Sequence, residues 1–382
     1  MNATEHYKLI WMRKNGTLLM ATLMMLLALT TDSYAWGFRK RKAEKTDTAI
    51  VKTGRYDEIT KKAKSRDGMF TIHQVEGDWY FELPDTLMGR DLLIVNKVSG
   101  VPYELNDAGL NKGMSYEDKL IRFHKDIVQK KVWVTTWNPR VSVPEGDAIA
   151  RSVKDNYREA VIEQFPIEAF NNDSTAVLIK VNKVFDGSEK SFNDLYNSIS
   201  LGTAVKRELS RIASMKSFPQ NIVVKSFLTT QVTEGHESVP VTVETTTNIV
   251  LLPEQPMKPR FADNRVGFFS TPHIYFNDKQ QAVEKRELVH RWRLEPKPED
   301  VEKYKRGELV EPVKPIVFYI DPATPAQWRE AIKAGVFDWQ KAFEAAGFKN
   351  AVVAKDAPAD DPDFDIDDSR YSVITYAASQ QA

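Results

Sequence analysis

Lys314-Pro-Ile-Val-Phe-Tyr-Ile-Asp321, followed by Pro322 and then by Thr324-Pro-Ala-Gln327, is the stretch that decides the fold class. Its first part is a continuous apolar run closed by a proline, the pattern of a buried strand. Its second part puts a Thr at a helix N-cap, a Pro at the first helical position and a Gln three residues after the cap. Trp328, Ile332, Val336, Trp339, Phe343 and Ala346 then recur at three- and four-residue spacing. That predicts one helix over 325–346 with a single apolar stripe. Gly347 stands where a left-handed stop belongs. After an acidic loop, Arg370-Tyr-Ser-Val-Ile-Thr-Tyr-Ala377 predicts a second strand. Strand, helix and strand in this order make a right-handed crossover into a parallel sheet. One crossover leaves one face of that sheet uncovered.

Upstream of this unit the pattern is β. Met69–Ile72 and Trp79–Leu83 flank Gln74-Val-Glu-Gly-Asp78 and predict a hairpin, with Leu92–Val98 as a third strand. Residues 66–110 therefore read as a small β accessory domain, too short to bury much alone and expected to pack on its neighbour. Residues 115–295 read as a larger β-rich accessory domain. Leu120–His124 and Val128–Thr135 pair across Lys125-Asp126, and Ala176–Phe185 and Ile222–Thr233 are longer strands. Val239, Val241, Val243 and Ile249 alternate with Thr and Glu, as in a sheet with one wet face. Ser191–Tyr196 and Ala204–Met215 predict helices, the second with Val205, Leu209 and Ile212 on one face. Pro253, Pro256 and Pro259 mark a rigid connection. Pro296, Pro298, Pro312 and Pro315 bracket the charged segment Glu299–Glu311, so 296–313 reads as a linker before the unit at 314–382. The expected class is α+β.

Three stretches carry a resemblance to a known family. They are FYIDPATPAQWREAIKAGVFDWQKAFEAAGFKNAVVAKD with the later RYSVITY, GMFTIHQVEGDWYFELPDTLMGRDLLIVNKVS, and LLPEQPMKPRFADNRVGFFS with RWRLEPKPED. In their order along the chain they resemble a family of large secreted bacterial zinc metallopeptidases of metzincin type, which carry two accessory domains before the catalytic one. The resemblance implies that residues 314–382 are the truncated start of a metzincin-like α/β catalytic domain. It implies peptide-bond hydrolysis of a protein or peptide substrate by the complete enzyme, with zinc held by a HExxHxxGxxH helix, zinc-activated water and a Glu general base. This chain has no such helix. The nearest string is His236-Glu-Ser-Val-Pro240, where Pro240 replaces the second His and the surroundings are β-patterned. The site expectation is therefore that there are no catalytic, cofactor-binding or metal residues in this chain, with zinc belonging only to the complete family protein. The expected function is the N-terminal portion of an exported zinc metallopeptidase, inactive as it stands. The alternative is a stand-alone secreted binding or inhibitory module with a vestigial peptidase segment.

The N-terminus reads as an export leader. Arg13 and Lys14 precede the apolar run Thr17–Leu29, and Ser33-Tyr34-Ala35 is a small-x-small cleavage site before Trp36. A run of this length suits a signal peptide and falls short of the ~20 residues that span a bilayer. Met12 directly before the Arg-Lys pair is an alternative start. Residues 1–35 are thus the expected signal peptide and 36–65 a basic linker, with no stable membrane span after cleavage. The chain contains no Cys, which excludes a lipoprotein anchor, disulfides and thiolate chemistry. Export without Cys points to the periplasm or the extracellular space. Net charge is zero with 42% hydrophobic residues, a folded composition without the charge excess that a nucleic-acid binder needs.

The remaining chemistry-bearing residues read blandly. His6, His73, His124, His236, His273 and His290 show no i,i+4 ligand pairing on a helix. If any of them held zinc, His236, His273 and His290 would be the first to test. Asp361, Asp363 and Asp365 imitate the first ligand positions of a calcium hand, but Ile366 stands where its turn needs Gly and Ser372 where a bidentate Glu belongs. That leaves an irregular calcium loop or a solvated acidic loop. Trp133, Trp137 and Trp292 read as core or rim packing rather than a ligand cage. No nucleophile elbow, P-loop or dinucleotide fingerprint occurs.

Overall fold

A computed structural model describes residues 48–201, 204–234 and 237–378. Along the chain, α1 (Thr48–Thr60) leads into β1 (Lys64–Arg66), β2 (Thr71–Val75) and β3 (Asp78–Pro84). Glu76 and Gly77 join β2 to β3 with positive φ at both, 48° and 91°, the two-residue turn whose twist matches a hairpin. Then come β4 (Leu92–Gly100), α2 (Tyr103–Asp107), β5 (Ser115–Asp126), β6 (Lys131–Thr136), β7 (Val141–Ser142), α3 (Ile149–Asn156), β8 (Ala160–Pro166), β9 (Ala169–Phe170) and β10 (Ala176–Lys180). A short α4 (Leu195–Ser198) precedes β11 (Arg211–Ser217), β12 (Asn221–Glu234) and β13 (Glu237–Leu251). The hairpin β14 (Ser270–Tyr275) and β15 (Glu284–Val289) and the single turn α5 (Val301–Lys305) lead to the C-terminal α/β unit. That unit comprises β16 (Ile316–Ile320), α6 (Ala326–Phe337), α7 (Gln340–Ala345), β17 (Val352–Asp356) and β18 (Ser372–Ile374).

Among the described residues the strands form a five-stranded sheet β1-β2-β3-β10-β9, a seven-stranded sheet β11-β12-β13-β4-β5-β6-β8, and two three-stranded sheets, β15-β14-β7 and β17-β16-β18. The chain is α+β and rich in strand. The two large sheets face each other over one core. Ile72, Phe81, Leu83, Val177 and Ile179 from the smaller sheet meet Leu92, Ile94, Ile121, Phe123, Val134, Phe165, Ile222 and Ile249 from the larger. Alternation along each strand puts these residues on one face, which is how sheets pack as a sandwich. The hairpin β2–β3 and the strand β4 thus go to different sheets and share a core with strands from 115–251. A second cluster at the far end of the large sheet sets Leu195 and Tyr196 of α4 against Val98, Leu228 and Val243, and Tyr196 donates a hydrogen bond to the Leu228 carbonyl at 2.8 Å.

Several local expectations change. Ala204–Met215 is not a helix: residues 207–209 make one 3-10 turn and β11 follows, paired with β12 across a bulge between Ile212 and Ser214. The helical spacing of Val205, Leu209 and Ile212 loses to the sheet edge, which takes Ile212 into β11 and leaves Val205 in a loop and Leu209 in the turn. Ala176–Phe185 is a strand only to Lys180, and 182–184 close it as a 3-10 turn. The stretch expected as linker contains α1, whose Ile59 is buried against Ala169 and Leu178 on the outer face of the smaller sheet. Residues 52–382 form one compact unit; of residues 1–51 only 48–51, the start of α1, are described. The signal peptide and its cleavage site lie outside the described residues.

In the C-terminal unit β16 is central and pairs in parallel with β17 on one side and β18 on the other. The strand after the helix is therefore β17, and Ser372–Ile374, expected as the second strand, is the third. The single helix over 325–346 is interrupted at Asp338 and Trp339, and it starts at Ala326 behind Pro325 with no side-chain cap hydrogen bond. Gly347 ends it as expected with φ 94°, and a Cβ there would stand 2.6 Å from the Tyr304 ring, so the position needs glycine twice over.

Candidate functional site

Three places in the fold concentrate polar or apolar chemistry. The first is the outer face of the smaller sheet. His73 is buried, with Nδ1 2.7 Å from Ser65 Oγ and Nε2 2.9 Å from Glu82 Oε2. The Tyr56 hydroxyl, reaching down from α1, donates to the same Glu82 oxygen at 2.8 Å. Register explains the cluster: Ser65 and His73 are direct cross-strand partners, and Glu82 pairs with Thr71, two residues from His73 on the same face. The hydrogen bond from His73 holds the Glu82 carboxyl below its ordinary range against the opposing effect of burial. Burial, then the bond to Glu82, pushes the Tyr56 hydroxyl upward. The network ties α1 to the sheet.

The second place is the loop between β17 and β18. The carboxylates nearest β18 are turned to the protein rather than to solvent. Asp365 Oδ2 lies 2.6 Å from Lys216 Nζ, and Asp367 Oδ2 lies 2.8 Å from Lys225 Nζ. Asp368, buried, is gripped by Arg370 at 2.6 Å. Burial pushes the Asp365 carboxyl up, but Lys216 and the Asp367 amide outweigh it and hold the group below its ordinary range. Burial likewise pulls the Lys225 ammonium down, and Asp367 more than reverses this. The expectation of a solvated loop is corrected for its last part only: Asp365, Asp367 and Asp368 have protein cations as partners. Asp361 and Asp363 stay exposed, Asp361 accepting a bond from the Asp363 amide at 2.9 Å.

The third place is an apolar cleft of about 440 Å³ beside α6 and α7. Ile332, Val336, Trp339 and Phe343 line it from the helices, Phe318 and Ile374 from the sheet, and Trp292 from the approach to the unit. Trp292 meets the Phe318 ring edge-on at 5.7 Å. Helix α6 lies over β17 and β16, and Ile374 of β18 borders the cleft. Trp133 sits against Lys131, and Trp137 stacks under Arg122 at 4.4 Å while its Nε1 donates to Asp91 at 3.1 Å. Neither belongs to an aromatic cage.

The other histidines are dispersed. His124 Nε2 is 3.0 Å from Thr135 Oγ1, His273 Nε2 is 2.7 Å from Ser142 Oγ, and His290 Nε2 is 2.7 Å from Thr271 Oγ1. His6 and His236 lie outside the described residues. Pro240 lies in β13, opposite Gln231, in extended backbone. Among the described residues no three His, Cys, Asp or Glu side chains converge as a metal-ligand group.

Residues 53–101 match the model of a domain of unknown function (DUF5118), and residues 113–297 match that of a second domain of unknown function (DUF5117). Two domains of unknown function thus precede the α/β unit, in keeping with two accessory domains. No curated protein and no solved structure matches the chain. No helix among the described residues is long and apolar enough to cross a membrane.

Proposed function

We propose that this chain is the N-terminal portion of an exported zinc-dependent metallopeptidase, with two accessory domains ahead of the opening of the catalytic domain. The observation that carries the reading is the unit at 316–374. It has the strand-helix-strand order of the resembled catalytic domain, with parallel strands and the apolar stripe of its helices turned to an open cleft. The chemistry of the complete enzyme would come from zinc and a Glu base on a helix that this chain does not contain, so no catalytic step is assigned to its residues. The leader at 1–35 directs it to the periplasm or beyond, and N-terminal sequencing of exported protein should begin at Trp36; retention of residues 17–29 would contradict export by cleavage. The test of the main reading is the coding sequence after codon 382. A frame that encodes HExxH supports it. A stop followed by unrelated sequence sinks it. The purified 382-residue chain itself should hydrolyse no peptide substrate and retain no stoichiometric zinc after dialysis against a weak chelator. A retained zinc would reopen the question at His236, His273 and His290.

A second reading has its own support. The sandwich encloses a complete core without any residue from 314–378, so the two domains of unknown function are suited to act as a self-contained binding or inhibitory module.

A further inference from the structure

The seven-stranded sheet turns Ile222, Val224, Leu92 and Ile94 toward the sandwich core. Side-chain alternation therefore places Lys225, Lys97 and Lys216 on its outer face. Register aligns Lys225, Thr246 and Lys97 across β12, β13 and β4, with Lys216 one strand further out beside Val223. Like charges gathered on neighbouring strands repel, and an outer sheet face is ordinarily wet. Here Asn221, Val223 and Thr246, all on that face, are buried.

Residues 365–369 of the β17–β18 loop cover it. Asp365 takes Lys216, and Asp367 takes Lys225 at 2.8 Å with Lys97 at 3.9 Å. Asn221 adds a contact that charge alone would not require. Its Nδ2 donates to the Asp367 carbonyl at 2.9 Å, and its Oδ1 accepts from the Ser369 amide at 3.0 Å. A second bond from Nδ2 to Asn248 Oδ1, at 2.9 Å, fixes the amide in that orientation. One buried side chain thus reads a main-chain acceptor and a main-chain donor two residues apart, flanked by two lysines that read carboxylates.

We infer that this face of the seven-stranded sheet is a built docking surface for the C-terminal α/β unit, and that its partner is the acidic segment Asp365–Ser369. The sandwich is then the base on which that unit is mounted, rather than a body joined to it only by the linker at 296–313. The inference holds whether or not the unit belongs to a peptidase, because it rests on the pairing alone.

Hydrogen exchange by mass spectrometry on the full chain tests it. Lys216→Glu with Lys225→Glu should speed exchange across 365–371 by about tenfold, the order that two half-buried pairs contribute together. Adding Asp365→Lys and Asp367→Lys should return it close to the wild-type rate, while β5 and β6 stay unchanged in every variant. Unchanged exchange of the loop in the reversed variant overturns the inference, and so does a swap that restores nothing. Should the reversed variant unfold, seen as rising exchange in β5 and β6, the wild type read between low salt and 1 M NaCl serves instead. Screening should then loosen the loop before any strand, and a loop indifferent to salt would overturn the proposal.

Discussion

In the sandwich, Phe81, Phe123, Phe165 and Phe192 are buried between two sheets, whereas in α6 and α7 no residue is buried and Trp339 is 66% exposed. Both regions face the same physical demand, since an apolar face must meet a second layer. The sandwich finds that layer within itself. Its strands alternate cleanly, and two sheets close over one core. The α/β unit has α6 over β16 and β17, and Trp292, Phe318 and Ile374 line a cleft beside it. Its contact with the large sheet is polar and external, through Asp365, Asp367 and Asn221. The two regions thus differ in packing: the sandwich encloses its apolar faces, and the α/β unit leaves part of one sheet face to a cleft.

The contrast breaks first if core truncation is tolerated. Phe81 packs against Phe70 at 4.9 Å and Phe185 at 6.0 Å in the middle of the sandwich. Phe81→Ala should lower unfolding free energy by ~3–5 kcal/mol in a urea titration; a loss below ~1 kcal/mol would mean the two sheets do not share a tight core.

Acid sharpens it next. The folded Asp365 carboxyl titrates below its ordinary value, so its contribution is fully present above the unfolded value and disappears as pH falls through the folded one. Glu82 behaves in the same direction. Loop protection at 365–371 should therefore hold at neutral pH and fall away below about pH 4, while the apolar sandwich core outlasts it. Protection that rises on acidification would reverse the sign and refute the ion-pair account.

The smallest effect belongs to the cleft. Trp339→Ala should change global stability by less than ~0.5 kcal/mol, as for an exposed position. A loss comparable to that of Phe81→Ala would show that Trp339 is covered in solution.

Much of this was legible in the residues. The run at 316–320 is continuous and bounded by prolines, and the hairpin at 71–84 carries its turn in Glu76-Gly77, so both are local signals. Strand β17 was not legible because its apolar run between Asn350 and Lys355 is short. Helix α1 is hard to read because, among its described side chains, Tyr56 and Ile59, three apart, mark the packed side amid Lys, Arg, Asp and Glu. The helical spacing in 204–215 was real, but pairing with the next strand, β12, decided the outcome for 211–215. The acidic loop was visible as a cluster of Asp, yet its meaning lay in Lys216, Lys225 and Asn221, well over a hundred residues away. No local pattern announces a partner at that distance.

Hydrogen exchange on the wild-type chain at neutral pH tests the central contrast most directly. Amides of β4, β12 and β13 should exchange only through global unfolding. Those of α6 and α7 should exchange orders of magnitude faster, with 365–371 in between because the docking surface holds it. If α6 and α7 prove as protected as β12, the α/β unit is a completed structural element and its reading as the opening of a larger catalytic domain is contradicted.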